Sequence, residues 1–402
     1  MDIRMQNQRY YGLDALRGIM MMLGVVLHAS FFYLIEAGIR KETPSFFLMI
    51  ITGFIHQFRM PLFFILAGFF TAMLVMKYGI KAAYINRAKR ILLPFLVSLV
   101  TILPVTLWAV LSVIVTGMNG GITFITSLAD MQPILDEMDK YNMPAHLSPL
   151  HLWFLYYLMI FYLFIPVCER FLVIAEQRGW QVKIQRLLSS PWTILLFGTV
   201  TAVTLLPFKG ASVMVNDRLF IPTPSILVYY LVFFLLGYLF FHYREILETF
   251  TRNTGTYCVI ALLMFVWAFV PGYMEMQGSE SNAVHIIAVV FNGLSTWLFI
   301  YYFIGLFLNY FNTDTPAIRM LAQSSYWIYL VHMPVVFFIG LLMTNLELGY
   351  PIKFTLLTIV TSLFCYISYQ LFVRRSWISL LLNGKRFDTD GTVLASPTLA
   401  KI

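Results

Sequence analysis

A chain of 402 residues that is 60% hydrophobic, 17% aromatic and only 11% charged lies far from soluble domains, in which about a quarter of residues are charged. Its formal charge of +8 does not mark a nucleic-acid binder, because the basic residues sit in short connections between apolar runs and form no stripe or recognition motif. Composition therefore excludes a soluble enzyme or nucleic-acid module and points to an integral membrane protein.

Runs of about twenty apolar residues predict about ten helices, near 11–33, 46–76, 87–116, 150–174, 191–208, 223–243, 255–274, 284–311, 319–344 and 353–373. The expected fold is all-α, a polytopic membrane domain over residues 1–376 followed by a polar, disordered cytoplasmic tail, 377–402. Lys and Arg collect in alternate connections, at Lys77 to Arg90, Arg170 to Arg186, Arg244 to Arg252 and Arg374 to Arg386. That asymmetry places both termini in the cytoplasm. The apolar run behind Met1–Arg9 is too long for a signal-peptide core, so no cleavage is expected. Cys168, Cys258 and Cys365 lie far apart in or beside apolar runs, which gives neither a disulfide framework nor a CxxC metal site.

In chain order, the first run holds Arg17 and His28 inside one spanning length. They are roughly 16 Å apart along a helix axis, about half the hydrocarbon thickness. Ionisable groups in such a place are functional hypotheses. His28 reads either as an interfacial histidine bonded to a neighbouring carbonyl or as a general base, with Glu36, eight positions on, able to orient it if the helix ends between them. In the second run His56 and Arg59 share a face. Pro61 frees backbone carbonyls that Arg59 can satisfy, or the pair lines an outer-facing cavity for an anionic or sugar substrate.

Arg87 and Arg90 also share a face, as headgroup anchors or as a cradle for phosphates. The loop 117–149 is acidic through Asp130, Asp136, Glu137 and Asp139, either a cover for an outer cleft or a solvated connector. His151 and Trp153 open the fourth long run as an aromatic anchor with a possible acceptor site. Ser325, Tyr329 and His332 form a polar stripe that glues helices together or lines a passage.

Taken in order, several segments resemble the acyltransferase-3 family of ten-helix membrane enzymes. They are Gly12-Leu13-Asp14-Ala15-Leu16-Arg17 with His28, Phe63-Phe64-Ile65-Leu66-Ala67-Gly68-Phe69, Arg87 and Arg90 ahead of Leu93-Pro94, His151-Leu152-Trp153-Phe154-Leu155, and the Ser325, Tyr329, His332, Pro334 stretch. Ala67 stands where many members have serine, so no role is carried over to it. Arg59-Met60-Pro61 and the lack of a fused soluble domain are similar to the subgroup that succinylates periplasmic glucans.

The resemblance implies transfer of an acetyl or succinyl group from acyl-coenzyme A, as acetyl-CoA or succinyl-CoA, to a hydroxyl of an extracytoplasmic carbohydrate, in a bacterial inner membrane and without a metal. It implies that Arg17, Arg87 and Arg90 receive the coenzyme A. Under it His28 deprotonates the hydroxyl, and Ser325, Tyr329, His332 and Arg59 stabilise the oxyanion or orient the acceptor; Glu36 joins the catalytic group from the residue reading, as the group able to orient His28. His56, Arg59, His151, Trp153 and Tyr329 are placed at the acceptor. The partners implied are membrane lipid, the carbohydrate and acyl-CoA, with no nucleic acid and with homo-oligomerisation open. The rival from the residues alone is a proton-coupled secondary transporter with a relay through His28, His56 and His332; the break at Pro61 has no mate in the second half of the kind an inverted repeat supplies.

Overall fold

The structure, a computed structural model, describes residues 10–40, 42–127, 130, 148–190, 192–215, 221–387 and 393–395. It is helical almost throughout, as expected for backbone that must satisfy its own hydrogen bonds in lipid.

Helix α1 (Tyr11–Ile39) is apolar on nearly every side and sits inside the bundle, with Leu16, Met20, Val25, Ala29 and Phe32 fully buried. Its first turn is capped from elsewhere, the Gly12 N–H donating to Asn312 Oδ1 at 3.0 Å. Helix α2 (Phe46–Arg87) changes direction at Gly79, whose φ of +82° and ψ of 166° are open to glycine without strain. A π-helical turn, Ala88–Leu92, leads into α3 (Leu93–Asn119).

Gly117 near the end of α3 lies against Ile39 at the end of α1, and α2 starts just after α1 ends. The 74 residues from Phe46 to Asn119 therefore leave one end of the bundle and return to it. Among the described residues, seven helices are long and apolar enough to cross a membrane, or up to nine if each bent pair is one span, with Phe46–Asn119 taken once. The expectation of about ten divides that stretch in two, at 46–76 and 87–116.

A 3-10 turn, Leu150–Leu152, opens α4 (Trp153–Tyr162), bent by 45° against α5 (Ile165–Gln177). There follow α6 (Gln181–Leu188), α7 (Thr193–Leu205), α8 (Pro224–His242) and the short α9 (Ile246–Arg252). The last long helices are α10 (Thr254–Met276), α11 (Asn282–Tyr310), α12 (Pro316–Met343) and α13 (Tyr350–Ser368). Small residues set the closest approaches, as is usual between helices in lipid. Gly68 of α2 meets the Phe234 carbonyl, and Gly237 of α8 meets that of Ile65.

Two prolines open helix carbonyls to side chains. Pro61 has no N–H to bond Gln57 O, and Thr296 Oγ1 donates to that oxygen at 3.3 Å. Of the two readings of Arg59, the one that gives it to this carbonyl does not hold: Arg59 Nε crosses to α1 and donates to Met20 O at 2.9 Å. Pro334 does the same for Leu330 O in α12, with a consequence for the site below.

The segment after Ser376, where the tail is expected to begin, starts as helix. Trp377–Asn383 forms a helix, α14, because Ser376 Oγ caps it at Ile378 N (3.1 Å), Leu382 is buried, and Asn383 Nδ2 donates to Gln323 O at 3.1 Å. Arg386–Phe387 then pairs antiparallel with Val393–Ala395. In the acidic loop, Asp130 accepts the N–H groups of Thr126 (2.7 Å) and Ser127 (2.9 Å), which hold its carboxyl below the ordinary range. Asp136, Glu137 and Asp139 lie outside the described residues.

Candidate active site

Two turns of α12, Ile328 to Pro334, orient two histidines. His332 is fully buried, and its Nδ1 lies 2.7 Å from Tyr329 O and 3.1 Å from Ile328 O. Carbonyl oxygens only accept, so Nδ1 carries the hydrogen and Nε2 the lone pair. Nε2 is buried with no hydrogen-bond partner among the described residues.

His151 shows the opposite tautomer. Its Nε2 donates to Leu330 O at 3.0 Å, the carbonyl that Pro334 leaves open. Its buried Nδ1 has no hydrogen-bond partner among the described residues. Tyr329 Oη donates to His151 O at 2.8 Å, so α12 holds the residue by both side chain and backbone.

His28, half-buried on α1, completes the group. Its ring centroid is 5.1 Å from that of His332, and the His151 ring lies 5.5 Å from His332. Arg59 reaches in from α2, 6% exposed, with Tyr230 and Tyr329 nearby. Gly24 makes the meeting possible. A Cβ there would stand 2.6 Å from Arg59 Nη2 and 3.3 Å from His332 Nε2, so the missing side chain lets both groups close over the α1 backbone.

Among the described residues no carboxylate is paired with Arg59. A buried cation without a counter-charge is costly, by several kcal/mol, and favours an anion or a developing negative charge beside it. Two imidazoles with fixed lone pairs next to such a cation can take a proton from a hydroxyl and stabilise an oxyanion.

The structure thus brings together His28, Arg59, His151, Tyr329 and His332. Trp153 is one shell out, its ring 5.3 Å from that of Tyr230. His56 is tied to the loop after α7, its Nε2 3.0 Å from Val213 O. Ser325 does not join the histidines, since its Oγ donates to Ala322 O of its own helix at 3.1 Å. Glu36 lies about 12 Å further along α1 than His28. There its Oε1 is 3.4 Å from Arg40 Nε, with Lys353 the other cation facing it.

At the opposite end, Arg17 and Arg87 flank one turn of α2. Arg17 pairs with Asp14 at 3.2 Å and lies over Phe70, while Arg87 Nη2 donates to Thr71 Oγ1 at 3.1 Å and lies over Tyr162. Arg90 departs from them: its Nη1 donates to Asn383 O, and its guanidinium packs against Gly384.

Sequence reasoning missed Gly24 and Tyr230. Neither sits in a polar pattern, and only the packing of α1, α2 and α8 gives them a place. Pro334 was visible two positions after His332, but its bearing on His151 depends on a contact across 179 residues.

The model of the family described as acyltransferase domain matches residues 10–370. Glucans biosynthesis protein C of Escherichia coli is 27% identical over 399 residues, covering 94% of this chain and 95% of the relative. The protein of the same name from Salmonella gallinarum is 25% identical over 388 residues, with the same coverage. No solved structure matches.

Proposed function

Because the chain belongs to the acyltransferase family whose domain spans residues 10–370, and is accordingly an acyltransferase of the bacterial inner membrane, we propose that it moves an acetyl or succinyl group from cytoplasmic acyl-coenzyme A to a hydroxyl of an extracytoplasmic carbohydrate. A periplasmic glucan is the acceptor that the name of the relatives suggests.

The observation that carries this reading is the Nε2 of His332, without a hydrogen-bond partner among the described residues, beside Arg59 and His28. Polar groups also recur along α1 from the arginine end to its middle: Arg17 lies near one end, Arg59 meets α1 at Met20 and Gly24, and His28 follows. A nucleotide thioester anchored near Arg17 and Arg87 has roughly 16 Å to cover to reach His28, a distance suited to an extended pantetheine arm.

In the proposed reaction the acceptor oxygen attacks the thioester carbonyl while its proton passes to an imidazole of the His28 and His332 pair. The carbonyl electron pair moves onto oxygen, where Arg59 stabilises it. Collapse breaks the C–S bond, and the departing thiolate takes the proton back from the imidazole. No metal and no covalent enzyme intermediate is needed.

Purified enzyme, incubated with a glucan and either succinyl-CoA or acetyl-CoA, tests this reading. Glucan-dependent release of free coenzyme A, with the matching mass gain on the glucan, is expected for one donor over the other. Release of coenzyme A without any mass gain on a carbohydrate would refute it.

A further inference from the structure

Three imidazoles meet at the site, but their hydrogen bonds make them unequal. Neither ring nitrogen of His28 has a hydrogen bond among the described residues, which therefore do not set its tautomer. His151 spends its distal Nε2–H on Leu330 O and keeps its lone pair on Nδ1. Only His332 is anchored through Nδ1, by two carbonyls of its own helix, so that the distal Nε2 projects with a lone pair. That distal nitrogen lies, with Arg59 Nη2, at the gap above Gly24.

We propose that His332, through Nε2, is the general base of the acyl transfer, and that His28 is a positioning residue that holds the acceptor hydroxyl against it. The assignment rests on the acyl-transfer reading above. As attack proceeds, the hydroxyl O–H bond breaks and an N–H bond forms at Nε2. The new positive charge makes the Nδ1–H bonds to Tyr329 O and Ile328 O charge-assisted, and hence stronger. Arg59 opposes a second cation beside it until the thioester oxygen becomes negative. Proton uptake is thereby coupled to carbonyl attack, because imidazolium and guanidinium then flank one oxyanion. When the C–S bond breaks, Nε2 returns its proton to the thiolate and His332 is again neutral.

A buried histidine bonded to its own helix is more often structural, and the test separates the two roles. In His332→Asn the amide can still donate to the preceding turn, but nothing remains at the Nε2 position. Full-length purified His332→Asn and His28→Gln are compared with the unaltered protein for acyl-CoA binding and for kcat against pH with a glucan acceptor. His332→Asn is expected to bind acyl-CoA normally, to lose about 10²–10⁴-fold in kcat, and to lose the high-pH plateau, its residual rate rising with hydroxide throughout. His28→Gln is expected to lower kcat and raise the acceptor KM while keeping the plateau.

A plateau retained in His332→Asn, or lost in His28→Gln alone, would overturn the assignment. His332→Gln serves as the second variant if the asparagine protein does not insert, and the same outcomes apply. If the unaltered protein transfers no acyl group to any carbohydrate, the function fails before the assignment does.

Discussion

Pro334 and His151 are linked through a single oxygen. Pro334 has no N–H with which to close the helical bond to Leu330 O, and His151 Nε2 takes that oxygen at 3.0 Å from another helix-opening turn. The bond sets the His151 tautomer, and with Tyr329 Oη on His151 O it fixes the residue to α12.

Pro334→Ala restores an N–H that competes for Leu330 O. Alanine also favours helix, where proline costs about 3 kcal/mol in an interior, so the variant is expected to match or exceed the parent in melting temperature. Acyl transfer should fall by one to two orders of magnitude, roughly what a misplacement of about 1 Å costs. Measuring kcat and melting temperature on one preparation checks this. A drop in both together would make Pro334 a folding residue only.

Gly24→Ala separates stability from activity still more sharply. In a helix interior, alanine normally gains roughly 0.5–1 kcal/mol over glycine. Here the new Cβ falls 2.6 Å from Arg59 Nη2, at the end of a long side chain that can swing away. The expected outcome is a folded protein that has lost acyl transfer by about 10²-fold and still binds acyl-CoA at its arginine end. Wild-type kcat in Gly24→Ala would show that Arg59 need not lie over α1.

The fold class was legible because lipid leaves the backbone few choices, and hydrophobic runs mark the helices directly. His28, Arg59, His151 and His332 stood out for the same reason, as polar groups in apolar runs. What could not be read was direction. Spacing left Arg59 either serving the backbone opened by Pro61 or lining a cavity, and Thr296 of α11 occupies that carbonyl while Arg59 turns to α1. Glu36 and His28 share a helix but lie about 12 Å apart on it. Ser325 shares a stripe with His332, yet its hydroxyl is bonded within its own turn. Periodicity fixes a face, whereas the partner on that face comes from another helix.

Arg87 and Arg90 should behave differently despite their common spacing. Arg90 holds α14 through Asn383 O, so Arg90→Ala is expected to lower melting temperature and to expose the segment after Trp377 to limited proteolysis. Arg87, bonded to Thr71 beside Arg17's platform on Phe70, should instead raise the acyl-CoA KM when replaced by alanine, with little effect on proteolysis. Equal rises in KM for the two variants would return Arg90 to the coenzyme A site.

Glu36 offers a last separation. Its carboxylate is 4% exposed and 3.4 Å from Arg40 Nε, while Lys353, 7% exposed, donates from Nζ to Thr344 O at 2.9 Å. These groups join the ends of α1, α12 and α13. Breaking a buried pair by removing one partner costs about 3–5 kcal/mol, less here because the Arg40 side chain is 28% exposed. Glu36→Gln leaves two cations without their carboxylate, so it should lower the melting temperature while kcat in the folded fraction stays within a few-fold of the parent. Lys353→Met should act in the same direction, since it strands Glu36 with Arg40 alone. A Glu36→Gln protein that melts normally but transfers no acyl group would instead mean that the carboxylate acts on His28 across the intervening turns, and the separation of the two clusters would not describe the working enzyme.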